Sequence, residues 1–264
     1  MTKSFRHNSI IFLLLIKIQH EFIESNNLKG GPGGSGVSII VRGYAKNIQT
    51  IVDAAEEPSA ELSPWTSNSK YFDIISFDPR GINNTTPQIV CFPTTFNRQA
   101  WNLQVAGEGI LGGSDSAFDS GYARSVALGE GCAARIGKNA TGGPGIGQFV
   151  TTANVVADMV ELIEQHGVWR ENEAKRILKN NAPGLELRSR TLQPSEQAIL
   201  DNTRWQKGSE KLLYWGFSYG TVLGATFAAM QPNRVGRLAV DGVCDSEDYY
   251  SNVCTVQKHS KLKY

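Results

Sequence analysis

The chain lacks an excess of either charge. Its 264 residues include 26 Lys and Arg residues against 25 Asp and Glu residues. A protein so close to neutral has no long-range field to attract nucleic acid or an anionic membrane surface, so we predict neither as a partner. Long apolar runs are also missing. The apolar run at residues 10–16 is too short to cross a bilayer, and no membrane span is predicted.

Metal-binding cysteine patterns are absent as well. The four cysteines contain no Cys-x-x-Cys pair, which argues against a zinc site or a thioredoxin-type site; they are Cys91, Cys132, Cys244 and Cys254. We therefore predict no metal and no cofactor. Asn-x-Thr sequons at Asn83, Asn84 and Asn139 suit a secretory protein, and the alternative is that they stay unused beside four free thiols.

The N-terminal segment has two interpretations. Lys3 and Arg6 precede the apolar residues 10–16, as in a signal peptide, but no small-x-small cleavage site follows. The alternative is a buried strand or a non-native leader.

Hydrophobic periodicity predicts alternating strands and helices. Strands are expected at residues 71–77, just before residue 216, and at residues 238–240. The last of these is expected to be buried. Helices are expected over residues 39–52, near residues 118–135, and from Thr151 or Thr152 to Gly167, with His166 as a charge at the helix end. Residues 169–208 are expected to form a solvent-exposed helical insertion. This order of elements predicts an α/β protein with a mainly parallel sheet.

The segment at residues 212–220 carries the clearest chemical signal. An apolar strand runs into Gly216-Phe-Ser218-Tyr-Gly220, the pattern that places a serine on a tight turn between a strand and a helix. Such a hydroxyl attacks a carbonyl group when a histidine takes its proton and an acid orients that histidine. We predict a serine hydrolase with Ser218 as the nucleophile.

The oxyanion formed in such a reaction needs backbone N–H donors. The amide of Tyr219 is one candidate, and the glycine-rich residues 30–33 fit the second. A glycine-rich loop can instead hold a phosphate group. Here Pro32 interrupts the loop and Gly-Lys-Ser/Thr is absent, so the hydrolase role is favoured.

Three segments resemble the tripeptidyl-aminopeptidase-like branch of the α/β-hydrolases, which is related to prolyl aminopeptidases. They are residues 30–36 (Gly-Gly-Pro-Gly-Gly-Ser-Gly), 72–81 (Phe-Asp-Ile-Ile-Ser-Phe-Asp-Pro-Arg-Gly) and 214–221 (Tyr-Trp-Gly-Phe-Ser-Tyr-Gly-Thr). Residues 224–232 and 240–243 extend the match. The charged insertion before residue 212 is similar to fungal members.

The resemblance implies a secreted peptidase that removes N-terminal residues or short peptides through an acyl-enzyme on Ser218. It implies Gly31 and Tyr219 as backbone oxyanion donors, and a disulfide between Cys91 and Cys132. The expected partner is a peptide substrate. A carboxylesterase acting on a small ester is an alternative, because the serine motif alone does not choose between amide and ester.

The implied fold is a partial α/β-hydrolase fold, with helices on both faces of the sheet and without the C-terminal strands and cap. We expect a leader at residues 1–29, an incomplete hydrolase domain at 30–252 and an unstructured tail at 253–264. Insertions are expected at about residues 93–147 and 169–208. This organisation is that of a family member truncated at both ends.

The candidates for catalytic acid and base are Asp241 and His259. Asp241 ends the strand that follows the serine motif, and His259 comes later, which gives the chain order Ser, Asp, His. The alternative is a strand-end aspartate and a solvated histidine. In that case the chain is an inactive fragment or a pseudoenzyme.

Overall fold

The computed structural model describes residues 9–15, 33–53, 72–109, 112–138, 142–180 and 194–251. The chain divides into two compact units. The larger unit comprises Met1–Phe77 with Thr152–Tyr264, and the smaller unit comprises Asp78–Thr151.

A parallel sheet forms the centre of the larger unit. Its described strands are β1 (Ser9–Leu15), β2 (Phe72–Ile75), β3 (Leu212–Phe217) and β4 (Val235–Asp241), in the order β2-β1-β3-β4. Each neighbouring pair is parallel, and this small parallel sheet with its helices is compatible with the predicted α/β class. The N-terminal apolar run, interpreted above as a targeting signal, a strand or a leader, lies in β1 through residue 15.

β4 is more exposed than the buried strand expected at residues 238–240. Most of its residues are exposed, and Val240 keeps 40% of its surface in solvent. β4 ends the order of the described strands, so it pairs with a described neighbour on one side only. An edge strand has fewer neighbours to cover it, which accounts for the low burial.

Helices fill the connections between the strands and form much of the smaller unit. In chain order they are α1 (Gly36–Val41), α2 (Tyr44–Val52), α3 (Thr95–Glu108), α4 (Ala117–Ile136), α5 (Thr152–Asn180), α6 (Pro194–Thr203), α7 (Tyr219–Met230) and α8 (Ser246–Ser251). The helix expected over residues 39–52 is two helices, because Gly43 adopts φ 92° and interrupts it. A left-handed glycine is a common way to end a helix.

α5 is longer than predicted. Gly167 and His166 lie inside it, so the expected helix end at Gly167 and the role of His166 as a helix-end charge are both wrong. A Cβ at Gly167 would lie 2.6 Å from atoms of Trp205 and Glu210, so this glycine allows a close approach. Ala174 and Leu178 are buried, although the insertion to which they belong was expected to be solvent-exposed.

The core of the larger unit joins α5, β3 and α7. Burial alternates along β3, as expected for a strand with one face on a core. The buried cluster consists of Val155, Val156, Met159, Ile163, Leu212, Tyr214, Leu223 and Phe227. Small residues in α7 permit close packing: a Cβ at Gly224 would lie 2.7 Å from the Tyr214 ring.

The smaller unit contains α3 and α4 and is cross-linked. A disulfide joins Cys91, just before α3, to Cys132 in α4. The ring of Phe92 packs against that of Trp101 with 5.8 Å between centroids. Within the described residues, no helix is both long enough and apolar enough to span a membrane.

Candidate active site

Ser218 lies on a tight turn between β3 and α7, called here the Ser218 turn (residues 216–220). Its backbone adopts φ 53° and ψ −123°. Positive φ is uncommon for a residue with a side chain, and such strain concentrates at functional sites. A Cβ at Gly216 would lie 2.5 Å from both the Gly220 carbonyl oxygen and the Tyr214 ring. The turn therefore needs glycine at position 216.

The sheet places this turn at an edge where ligands bind in α/β proteins. β1 pairs with β2 on one side and with β3 on the other, so the chain changes direction across the sheet at β1. Leu15 pairs with Phe217, and Phe217 pairs with Asp241, so the carboxyl ends of three strands meet at one edge. Open α/β sheets bind their ligands at such a switch point, outside the carboxyl ends of the strands.

The backbone amides around Ser218 are differently engaged. The Ser218 N–H donates to the carbonyl oxygen of Asp241 at 3.2 Å, which extends the ladder between β3 and β4. Tyr219 is the first residue of α7, so its N–H has no intrahelical acceptor. Because a helix N-terminus also carries a partial positive charge, this amide is suited to an anionic oxygen.

The side chain of Tyr219 is anchored on both sides. Its hydroxyl lies 2.8 Å from Thr152 Oγ1 at the start of α5, and its ring centroid lies 5.3 Å from that of Tyr249 in α8. Burial raises the pKa of Tyr219, although the hydrogen bond with Thr152 opposes that effect. The phenol therefore stays neutral, and its anchoring orients the residue that follows Ser218.

Two residues that the sequence analysis did not select also touch the turn. Thr221 Oγ1 donates to the Ser218 carbonyl oxygen at 2.6 Å and accepts from the Cys244 N–H at 3.0 Å. The Cys244 Sγ atom lies 3.9 Å from Ser218 Oγ. The Thr after Gly-x-Ser-x-Gly was visible in the sequence, whereas the position of Cys244 depends on the pairing of β3 with β4.

The other predicted site residues are placed as follows. Gly31 and His259 lie outside the described residues. Asp241 is exposed, and it contacts the Ser218 turn through its backbone carbonyl oxygen, which accepts the Ser218 N–H. The glycine-rich loop is described from Gly33 onward, and a Cβ at Gly36 would lie 2.3 Å from Ser76 Oγ, so the end of this loop packs closely on the segment after β2.

His166 is the one histidine among the described residues, and it is unsuited to act on Ser218. Burial, reinforced by the charge of Arg170, lowers the pKa of His166 to about 4. Thr152, at the start of α5, touches Tyr219, whereas His166 follows about 21 Å farther along the helix, at 1.5 Å per residue. The histidine therefore lies at a part of α5 remote from the contact with Tyr219, whereas proton transfer needs a distance of roughly 3 Å.

The described part of the chain contains no cluster of side chains suited to a metal ion. No group of three or more His, Cys, Asp or Glu side chains there could hold an ion.

Comparisons with known proteins point to peptidases. No protein-family model matches the chain. It is 26% identical over 214 residues to a tripeptidyl aminopeptidase of Streptomyces coelicolor, an alignment that covers 81% of this chain and 27% of the relative. The tripeptidyl aminopeptidase of Streptomyces lividans gives the same identity and coverage.

A third relative carries a different name. Serine protease Hip1 of Mycobacterium tuberculosis is 24% identical over 216 residues, covering 82% of this chain and 28% of the relative. The chain thus spans about a quarter of the length of the curated relatives it matches. At this level of identity, both names support a serine-peptidase-like protein.

Proposed function

We propose that this chain is a serine peptidase of the α/β-hydrolase type, with Ser218 as its nucleophile and the Ser218 turn as a nucleophile elbow. The observation that carries the proposal is the position of Ser218: a strained serine between a strand and a helix, at the carboxyl edge of a parallel sheet. Similarity to two kinds of peptidase adds a substrate class, because a peptide carbonyl is the group such a serine attacks.

In this proposal each residue has one task. Ser218 Oγ forms a bond to the carbonyl carbon as its proton passes to a base, and the base then gives that proton to the nitrogen as the amide C–N bond breaks and the amine leaves. The Tyr219 N–H stabilises the oxyanion, with Gly31 as the second donor. Asp241 and His259 are the proposed acid and base. Water finally hydrolyses the acyl-enzyme and restores the Ser218 hydroxyl.

The substrate and setting extend the proposal. By analogy with the names of the Streptomyces relatives, the amine end of a peptide is the proposed point of attack. The disulfide in the smaller unit supports a secreted protein, because disulfides persist in oxidising compartments.

A fluorophosphonate probe tests the nucleophile directly, because it reacts covalently with activated serines. We expect the purified chain to be labelled and Ser218→Ala to lose the label. Ser209→Ala is the matched control, since Ser209 is an exposed turn serine and we expect its replacement to leave labelling unchanged. An unlabelled wild-type chain, or a labelled Ser218→Ala variant, contradicts the assignment.

Substrate turnover then tests the peptidase class. We expect cleavage of tripeptidyl or aminoacyl arylamides, lost in Ser218→Ala. Hydrolysis of p-nitrophenyl esters without any arylamide cleavage would instead identify an esterase.

A further inference from the structure

The Thr221 hydroxyl connects the Ser218 turn to the loop that follows β4. Thr221 is 2% exposed. Its one hydroxyl proton is donated to the Ser218 carbonyl oxygen at 2.6 Å, and its oxygen accepts the Cys244 N–H at 3.0 Å. Both capacities of the hydroxyl are therefore used, one on each side.

The first of these bonds acts on a strained backbone. Ser218 holds φ 53° and ψ −123°, a conformation that persists only when surrounding contacts impose it. The Ser218 carbonyl also accepts the Thr221 N–H at 2.8 Å. Thr221 thus holds the carbonyl of the strained residue through two donors, and the hydroxyl supplies one of them.

The second bond fixes what lies over Ser218. The Cys244 N–H is held by Thr221, and the Cys244 thiol lies 3.9 Å from Ser218 Oγ. Cys244 follows β4 by three residues and has no strand to hold it there. The Thr221 hydroxyl is therefore a contact that sets how closely the loop after β4 approaches the nucleophile.

We propose that Thr221 is a positioning residue. Its hydroxyl sets both the backbone conformation of the Ser218 turn and the distance from Ser218 Oγ to the loop at residues 242–245, called here the Cys244 loop. The expected effect of Thr221 on the reactivity of Ser218 rests on the proposed function of Ser218 as a nucleophile. The expected effect of Thr221 on the position of the Cys244 loop is independent of that function.

Two substitutions separate the hydroxyl from the bulk of the side chain. Thr221→Val keeps the shape and removes the hydrogen bonds, whereas Thr221→Ser keeps the hydroxyl and removes the methyl group. Thr226→Val is the matched control in the same helix, because the Thr226 hydroxyl contacts Val222 O and Tyr250 OH and not the turn. Melting temperatures are measured for all variants, and rates are compared well below the transitions.

The first measurement is the rate of fluorophosphonate labelling. We expect Thr221→Val to slow labelling about tenfold, the effect of losing one or two hydrogen bonds. Thr221→Ser and Thr226→Val should stay within about twofold of wild type, because each keeps the hydroxyl bonds to the turn. Labelling of Thr221→Val at the wild-type rate would overturn the proposal. So would equal slowing in Thr221→Val and Thr221→Ser, because the hydroxyl that serine keeps would then not preserve the rate.

The second measurement is the rate at which iodoacetamide alkylates Cys244, followed by mass spectrometry of its peptide. Because the loop loses its anchor, we expect alkylation about tenfold faster in Thr221→Val, and near the wild-type rate in Thr221→Ser. Unchanged alkylation in Thr221→Val would overturn the proposal. A wild-type chain inert to fluorophosphonate contradicts Ser218 as nucleophile, and the alkylation rates then decide on Thr221 alone.

Discussion

Position 216 has no room for a side chain beyond hydrogen. An added Cβ would lie 2.5 Å from the Gly220 carbonyl oxygen and from the Tyr214 ring, and neither can move freely. Tyr214 is in the buried core, and its hydroxyl donates to that same carbonyl at 2.7 Å. At the scale of one residue, the Ser218 turn is therefore intolerant of even a methyl group.

We predict that Gly216→Ala lowers the free energy of unfolding by about 1–3 kcal/mol, the usual effect of overpacking. Urea denaturation followed by tryptophan fluorescence measures it. Gly129→Ala is the matched control, because Gly129 lies inside α4 with open space around its Cβ position. There alanine should stabilise by about 0.5–1 kcal/mol. A neutral Gly216→Ala variant would contradict the crowding described for the turn.

The Ser218 turn could be predicted because its signal is local: two glycines, a serine and an apolar strand lie within nine residues. Cys244 could not be selected in the same way. It lies near Ser218 because β3 and β4 pair with Phe217 opposite Asp241, and no pattern in the sequence states that register. The base for Ser218 stays a prediction, since His259 lies outside the described residues.

At the scale of elements, α5 is held to the segment before β3 by a buried carboxylate. Glu164 is 9% exposed and accepts from Trp205 Nε1 at 2.7 Å and from the Gly208 N–H at 2.9 Å. It also pairs with Arg234, just before β4. One turn and a half later, Arg170 binds Glu210 through two hydrogen bonds. These contacts tie two separate segments, one before β3 and one before β4, to one helix.

We predict that Glu164→Gln lowers the free energy of unfolding by about 1–3 kcal/mol at pH 7. All three partners of Glu164 donate hydrogen bonds to its carboxylate oxygens. In Glu164→Gln one of those oxygens becomes an NH2 group, which cannot accept, so at least one donor loses its acceptor. Urea denaturation measures the change. Glu161→Gln is the control on the same helix, because Glu161 is exposed and, within the described part of the chain, accepts a hydrogen bond from Gln165 alone.

The effect of Glu164 should depend on pH. Burial raises its pKa, but hydrogen bonds from Arg234, Trp205 and Gly208 outweigh burial and hold the pKa below its ordinary value of 4.5. The folded state therefore binds fewer protons, and the stabilisation is complete above pH 4.5 and is lost as the pH falls through the lower folded-state pKa. The gap between wild type and Glu164→Gln should shrink there. A gap that widens on acidification would contradict this sign.

The length of α5 was mispredicted for a physical reason. His166-Gly167 followed by a charged segment has the composition of a helix end. Position 167 needs glycine for another reason: Trp205 and Glu210 approach the helix there and leave no room for a side chain. A contact between residues about 40 positions apart leaves no mark in the local periodicity.

At the scale of the whole molecule, the smaller unit depends on its cross-link. The Cys91–Cys132 disulfide closes a segment with a sequence separation of 41. We predict that the double variant Cys91→Ser/Cys132→Ser lowers the stability of that unit by about 2–4 kcal/mol. Limited proteolysis should then cut faster within residues 78–151.

A reductant supplies the control for that prediction. Dithiothreitol should speed proteolysis of the wild-type chain and leave the double variant unchanged. Intact-mass analysis after alkylation without reduction should find Cys91 and Cys132 unmodified. Alkylation of both would show that the cross-link is absent in solution.

The place of β1 in the sheet also governs how the chain acquires its fold during synthesis. Leu13 pairs with Trp215, so about 200 residues must leave the ribosome before the central strand meets its second neighbour. At roughly 5–20 residues per second, β1 waits on the order of 10–40 s for β3, and once β2 has been made it waits beside β2 alone. Contacts so distant in sequence also slow folding itself. The nascent chain therefore exposes an unpaired strand edge during that interval, and chaperone demand is an expected property of this topology.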